Sequence, residues 1–312
     1  MSGFTFAHVS DLHLPFEPIL TPRQHFSKRQ LSVWSWRRRR ALHRSDILQA
    51  LADDLRAHPV DHVLVTGDIT NFSLPGEFEQ AARWLGALGP PENLSLVPGN
   101  HDALVAVAPE QGLDRWAGWT RAEDGWPFVH RRGGVALIGL NSALPTPPLL
   151  ARGRLGPPQL ERLEAVLVAE AAAGRTRIVM LHHPPADGVV QWRKALADAP
   201  ALRAVLRRAG AELVLHGHAR DARLDALPGP QEPIPCLCVP SSSAVPNPRD
   251  QGAMWHRLRL DDGAGEGRPN VRVDVRRWSA GADAFVADGG YTLSLPRGKG
   301  AAQARILDSA IT

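Results

Sequence analysis

A layered α/β domain is the fold class that this sequence of 312 residues predicts. Two observations lead there. Short apolar runs alternate with helix-type segments through the first two-thirds of the chain, the pattern of helices packed on a sheet. Five of those runs also end in Asp, Asn or His, and sites in open α/β sheets form in the crevice beyond the carboxyl ends of the strands. The apolar fraction of 44% is ordinary and allows a sizeable core.

The elements follow in order. Residues 4–9 read as a first strand, and Ser10-Asp11-Leu12-His13 stands at its end. Residues 15–24 carry three prolines and read as loop. Residues 26–44 are unusual, holding Trp34, Trp36 and the run Arg37-Arg38-Arg39-Arg40. A helix is expected over 46–58, with Ile47, Leu48, Leu51 and Leu55 on one side and Pro59 ending it. A strand at 62–66 runs into Gly67-Asp68. A helix at 78–88 is stopped by Gly89-Pro90-Pro91. A strand at 94–97 is closed by Pro98-Gly99-Asn100-His101-Asp102.

The Trp-rich stretch 113–128 is less regular, and 135–140 is a strand ending at Asn141-Ser142. After a Pro/Gly-rich connection at 145–158, a helix is expected at 159–173 and a strand at 177–181 that delivers His182-His183. A helix at 195–209 ends at Gly210, and the apolar run 213–215 delivers His216-Gly217-His218. Residues 235–239 read as one more strand, and 254–260 with 271–278 as an antiparallel ribbon. No internal repeat or boundary is visible, so 1–280 is expected to be one domain, with the low-signal stretch 281–312 a C-terminal extension.

Composition narrows the classes. A formal charge of +4 suits an anionic substrate or surface without naming a partner. Cys236 and Cys238, one residue apart, exclude a disulfide framework and fit a reducing compartment. The first residues show no charged-then-apolar signal pattern, and no apolar stretch is long enough to span a bilayer. A cytoplasmic location is expected, with peripheral membrane contact through 26–44 left open.

The five strand ends carry Asp11 and His13, Asp68, Asn100 and His101, His182, and His216 with His218. Asp-x-His is expected to put both side chains on one face of an extended segment. A lone Asp after a strand is commonly a turn or cap, and a lone buried His a bonded core residue. Five ends of the same character are hard to explain that way. Carboxylate and amide oxygens mixed with imidazoles, without thiolate, suit Mn, Fe, Zn or Co better than Ca or Mg. Even without His101, seven ligands are too many for one tetrahedral ion. They suit two ions about 3.5–4 Å apart, whose bridging water becomes hydroxide near neutral pH and which clamp a phosphoryl group.

Asp11-Leu12-His13, Gly67-Asp68, Gly99-Asn100-His101-Asp102, His182-His183-Pro184 and His216-Gly217-His218 together resemble the calcineurin-like metallophosphoesterases, in order, over residues 8–220. The resemblance implies a four-layer α-β-β-α sandwich with C-terminal antiparallel strands and two divalent metal ions, Mn or Fe/Mn favoured. Carried over by position, Asp11, His13 and His218 would hold one ion, and Asn100, His182 and His216 the other. Asp68 would bridge them. His101 would sit beside the substrate phosphate as proton donor, so His101 and Asp68 are the expected catalytic residues. His183 is expected to orient the loop or touch substrate. The tract 153–167 further resembles the helix lead-in of bacterial cyclic-nucleotide and glycerophosphodiester phosphodiesterases.

The implied function is hydrolysis of a small or lipid-linked phosphate ester, most simply a diester. The basic insert 26–44 lies outside the shared pattern. It reads either as a solvated helix whose tryptophans pack on the body, or as a cap gripping an anionic or lipid substrate through Trp34, Arg37 and Arg38. A nucleic-acid surface is the lesser reading. The insert shares its character with family members that cleave UDP-2,3-diacylglucosamine, which keeps that pyrophosphohydrolase activity as the alternative. A nuclease and a non-catalytic binding module stand behind it, although no ligand residue is missing. The substrate-shaping parts are expected to be the insert, the segment 113–128 with Trp116, Trp119 and Trp126, and the C-terminal ribbon.

Overall fold

The computed structural model describes residues 3–296 apart from 39, 123, 249 and 262–267, together with the backbone of a last strand, Ile306–Ala310. The chain opens with β1 (Thr5–Val9), α1 (Lys28–Arg37), α2 (Ser45–Ala57), β2 (His62–Val65), α3 (Pro75–Leu88) and β3 (Leu94–Leu96). It continues with the short α4 (Ala117–Thr120), β4 (Phe128–Arg132), β5 (Val135–Gly139), α5 (Pro157–Ala172), β6 (Thr176–Met180) and α6 (Ala199–Ala209). It closes with β7 (Leu213–His216), β8 (Arg223–Leu227), β9 (Ile234–Cys238), β10 (Met254–Asp261), β11 (Asn270–Ser279), β12 (Ala284–Ser294) and β13 (Ile306–Ala310).

Two sheets result. The first has the order β13-β12-β11-β10-β1-β2-β3, with β1, β2 and β3 parallel and β10 to β13 antiparallel beside them. The second has the order β4-β5-β6-β7-β9-β8, parallel from β5 to β9 with an antiparallel strand at each edge. Side-chain alternation sends Ala7, Val9, Val63 and Val65 toward the core they share with Ile47 and Leu51 of α2 and Phe78 and Leu85 of α3. Phe6, Leu64 and Leu258 face the other way and meet Leu137, Ile178, Met180 and Leu215 of the second sheet. Val179 and Val214 then meet Leu163 and Leu167 of α5 and Leu202 and Leu206 of α6. Helix, sheet, sheet and helix therefore stack as the sequence resemblance implies. Burial on both faces explains why the parallel strands are unbroken apolar runs.

Four strands escaped the sequence reading. β4 sits in the stretch read as irregular, although Gly133-Gly134 between it and β5 is a two-residue hairpin signal. β8 alternates too weakly to stand out. β12 and β13 lie within 281–312, the presumed extension; β12 pairs with β11 around a bulge at Asp274/Arg276 and with β13 on its other side. The first sheet thus runs past residue 280; residues 297–305 and 311–312 lie outside the described residues. Both cysteines are buried and free, as their spacing required.

Between the sheets lies a polar seam. His8, His62, His130 and His256 are all buried, at positions that alternate with Phe6, Leu64, Phe128 and Leu258. His8 Nε2 is 2.9 Å from the Thr66 hydroxyl; Ser95 Oγ lies 2.9 Å from His62 Nε2 and 3.2 Å from His130 Nδ1. Burial, then the neighbouring His130, Arg132 and Arg121, lowers His62 to about 3. Burial lowers His256 to about 4, and burial with Arg121 and Arg132 lowers His130 to about 4. In the unfolded chain each titrates near pH ~6.5. Between these values the unfolded chain holds protons the folded one does not. Stability is therefore full above pH ~6.5 and falls with pH by up to about 1.4 kcal/mol per unit per histidine. Urea midpoints of metal-free protein should drop steeply from pH 6.5 to 4.5; a flat profile would contradict the seam.

Candidate dimetal site

The site is built at the carboxyl ends of β1, β2, β3, β6 and β7 by loops that bond to one another. Asp11 N–H donates to Gly67 O, His13 N–H to Asp68 O and Leu14 N–H to Ile69 O, each at 2.9 Å. Contrary to the sequence expectation, Asp11 and His13 are not on extended backbone. Strand β1 ends at Val9, and the two residues have φ of 50° and 43°. Asp68 at 55° and His218 at 68° share this left-handed region. Side-chain-bearing residues there cost about 1–2 kcal/mol each, a strain typical of functional sites.

Close approach explains two glycines. A Cβ on Gly99 would lie 2.2 Å from Asp68 Oδ1, and one on Gly217 would lie 1.9 Å from Ser10 Oγ. Gly217 thus lets β7's end lie against the Asp11 loop, whereas the left-handed turn itself falls on His218. There Asp11 Oδ2 accepts from Ser10 Oγ at 2.7 Å and from His218 N–H at 3.0 Å.

Asp68 is the centre. Its Oδ1 accepts the His101 N–H at 2.7 Å. Its Oδ2 is 3.8 Å from His13 Nε2 and 3.4 Å from His182 Nε2. His182 Nε2 also lies 3.3 Å from Asn100 Oδ1 and 3.1 Å from His218 Nδ1, while its Nδ1 donates to Thr66 O at 2.7 Å. Two clusters therefore share Asp68: one with His13 and His101, the other with His182 and His218. Donor atoms each about 2.1 Å from a common tetrahedral ion stand roughly 3.4 Å apart, so the second cluster already has the spacing of a ligand set.

Burial tends to raise Asp68, but His182, His101 and His13 outweigh it and hold the carboxyl well below its usual range. Burial opposes charge on His182, yet the Asp68 carboxylate raises it to about 9. Burial, then His43 and His101, keeps His13 well below the histidine range; burial, then His183 and His182, does the same for His218. Both rings are neutral and offer lone pairs. His13 Nε2, His216 Nε2 and His218 Nε2 are buried without a hydrogen-bond partner among the described residues. Hard oxygens, neutral imidazoles and orphaned nitrogens fit divalent cations.

His218 stands between the two groups: its Nδ1 is 3.1 Å from His182 Nε2, and its N–H donates to the Asp11 carboxylate. The His216 Nδ1 donates to its neighbour's carbonyl, Gly217 O, at 2.9 Å. His183 is buried too. Its Nδ1 meets Ser142 Oγ at 2.8 Å, its Nε2 is 3.2 Å from Ala151 O, and its ring lies against His182 and His218, so it supports the site from below.

A pocket opens over His13, Asn100 and His101. One wall is α1, which turns Lys28, Leu31, Ser35 and Trp36 inward. Trp34, Arg37 and Arg38 are exposed and outside the lining; Arg39 lies outside the described residues. The inward face is set by anchoring. Arg29 donates to Phe72 O and Ser73 O, Val33 packs with Phe72 and Leu74, and Trp36 meets the Phe72 ring edge-on. The tryptophans of 113–128 do not line this pocket. Trp116 is fully buried and donates to Phe78 O, and Trp119 donates to Gly89 O.

Sequence reasoning missed His43, Lys28, Arg193, Lys194 and Arg220, which also line the pocket. The Arg220 guanidinium makes no hydrogen bond or ion pair among the described residues, and its charge acts on His13. Ser241, Ser242 and Ser243 after β9 were missed as well. Ser241 Oγ donates to Asp11 O at 2.7 Å, and Ser242 N–H donates to Ser10 O at 2.9 Å, bracing the first loop. A serine triplet ending a strand was the available signal.

Comparison with known proteins agrees with this geometry. The chain is 28% identical over 228 residues to a probable cyclic nucleotide phosphodiesterase of Synechococcus sp., covering 70% of this chain and 74% of that protein. It is 34% identical over 148 residues to the glycerophosphodiester phosphodiesterase GpdQ of Enterobacter lignolyticus, covering 45% of this chain and 47% of that one. A dimetal phosphatase from Danio rerio superposes with a TM-score of 0.59 at 15% identity, covering 88% of this chain and 96% of the other. The yellow lupin purple acid phosphatase PPD1 superposes at 0.55 and 13% identity, covering 94% and 54%. The family description "Calcineurin-like phosphoesterase" matches residues 4–219. Together with two side-chain clusters sharing Asp68 this points to a dimetal centre, and the chain belongs to the calcineurin-like phosphoesterase family.

Proposed function

We propose that this protein is a phosphodiesterase working with two divalent ions, Mn or an Fe/Mn pair. The observation that carries the reading is one buried carboxylate, Asp68, shared between two donor clusters under a cationic pocket. Asp11, His13 and His218 would hold one ion, Asn100, His182 and His216 the other, with Asp68 common to both. Such a pair supplies an activated water and charge neutralisation at the phosphoryl group.

The chain's own groups do the rest. The Asn71 carbonyl accepts from His101 Nδ1 at 2.9 Å, which turns the other ring nitrogen to the pocket. There the imidazolium form would hand its Nε2 proton to the departing ester oxygen, leaving a neutral ring with its Nδ1–H on the carbonyl. Ser73 Oγ and Thr70 Oγ1 both donate to His101 O, at 2.8 and 3.0 Å, so the ring is pre-set. Asp102 accepts from Gly99 N–H, Ile69 N–H and Thr70 N–H and ties the Asp68 loop to the Asn100 loop. Arg220, Lys28 and Lys194 offer positive charge to the ester oxygens. The diester preference is supported by the names of the two curated relatives and by this surplus of pocket cations.

Dialysis against a chelator should abolish hydrolysis of bis-p-nitrophenyl phosphate, and Mn²⁺ should restore it as two ions bind per chain. Turnover of p-nitrophenyl phosphate should be at least about tenfold slower. Protein carrying two ions that cleaves neither ester would overturn the proposal.

A further inference from the structure

Eight large apolar side chains are well exposed among the described residues, and five of them stand in three segments that meet at one place. Phe26 is 95% exposed, Leu149 83%, Trp192 69%, Trp34 57% and Leu31 40%. The segments are joined. Lys28 Nζ on α1 donates to Thr146 Oγ1 at 2.6 Å and to Leu150 O at 2.8 Å. Ala151 N–H donates to Arg193 O at 2.9 Å, and the Arg152 guanidinium lies 6.0 Å from the Trp192 ring. Leu31, Leu149 and Arg193 line the pocket over the site, and Phe26, Trp34 and Trp192 stand outside the lining on the same three segments.

The charge beside this rim is of one sign. Lys28, Arg193, Lys194 and Arg220 line the pocket, no carboxylate is among its lining residues, and Arg37, Arg38 and Arg40 are exposed at and just beyond the end of α1. Exposed Trp, Phe and Leu beside Lys and Arg are what the boundary between lipid headgroups and acyl chains takes up. No helix among the described residues is long and apolar enough to cross a membrane, so the contact is with a surface. Scattered apolar residues need no explanation, but a contiguous patch rimmed by charge marks an interaction site.

We propose that the rim docks the protein on a bilayer containing anionic phospholipid, and that the pocket takes its phosphate ester from a lipid at that surface. The substrate half of this inference rests on the phosphoesterase reading above; the docking half does not. The aliphatic members of the rim favour lipid over a nucleic-acid strand, which would stack on aromatics alone.

Docking is read by co-sedimentation in chelator with vesicles of phosphatidylcholine, with and without phosphatidylglycerol, so metal-dependent chemistry plays no part. Binding should be at least about tenfold stronger to the anionic vesicles and should weaken with salt. The double variant Phe26→Ser, Trp192→Ser should lose about tenfold or more of that binding while its soluble-diester rate stays at wild type. No binding to anionic vesicles, binding indifferent to the double variant, or the same residue dependence for a single-stranded oligonucleotide without vesicle binding would each overturn docking. Docking without faster cleavage of a vesicle-borne phosphodiester than of a soluble one would overturn the lipid substrate alone. Failure on every ester would instead reject the phosphoesterase reading.

Discussion

Asp68→Asn should lower the turnover of bis-p-nitrophenyl phosphate by at least about a thousandfold, or roughly 4 kcal/mol in the barrier. The variant keeps nearly the same shape, so the His101 N–H can still bond to the oxygen that replaces Oδ1. What disappears is the charge of Oδ2, which stands between His13 Nε2 and His182 Nε2 and is the one group common to both clusters. An amide nitrogen there would point a donor where a cation needs a lone pair. His182, which the carboxylate raises to about 9, would fall back with the loss of its partner, so the metal-free fold loses an ion pair but gains no uncompensated charge. Elemental analysis should find at most one ion per chain, with an unchanged circular dichroism spectrum. Two retained ions and a rate within about tenfold of wild type would remove Asp68 from the centre of the mechanism.

Much of this was legible because ligand types at strand ends are a chemical signal, independent of how each loop turns. Asp11, His13, Asp68, Asn100, His182 and His218 do converge, from five separate strand ends. What could not be read was backbone conformation. Asp-x-His looked like strand alternation, but left-handed φ at both residues and loop-to-loop hydrogen bonds place the pair. His218 itself takes the left-handed turn, and that rotation carries its ring to His182.

The insert was harder to read. A helix somewhere in 26–44 was one reading, and α1 bears it out over 28–37, but its facing depends on Arg29, which a sequence shows as one more basic residue. Buried and bonded to two carbonyls of the 72–73 turn, Arg29 fixes the helix rotation and so decides that Trp36, not Trp34, meets the pocket. The polar seam was hidden too, because His8, His62, His130 and His256 are far apart in sequence and alternate with apolar neighbours as any strand residue would.

His101→Ala should separate proton transfer from metal binding. His101 stands within the cluster that contains His13 and Asp68, so geometry alone allows it to be a ligand. Its exposure argues for the other role. His13 and Asp68 are buried, whereas His101 is partly exposed at the pocket, its ring edge-on to His13 with centroids 4.8 Å apart. If it donates a proton to the leaving oxygen, its loss must depend on how badly that oxygen needs one. A diester with an alkoxide leaving group should slow by about a hundred- to ten-thousandfold in kcat. A p-nitrophenyl diester, whose phenolate departs without protonation, should slow by about tenfold or less. Two ions per chain should remain in both assays. Equal losses on the two esters together with a missing ion would reassign His101 to the ligand set, and the proton would then have to come from solvent or from a lining cation such as Lys28, which burial lowers to about 8.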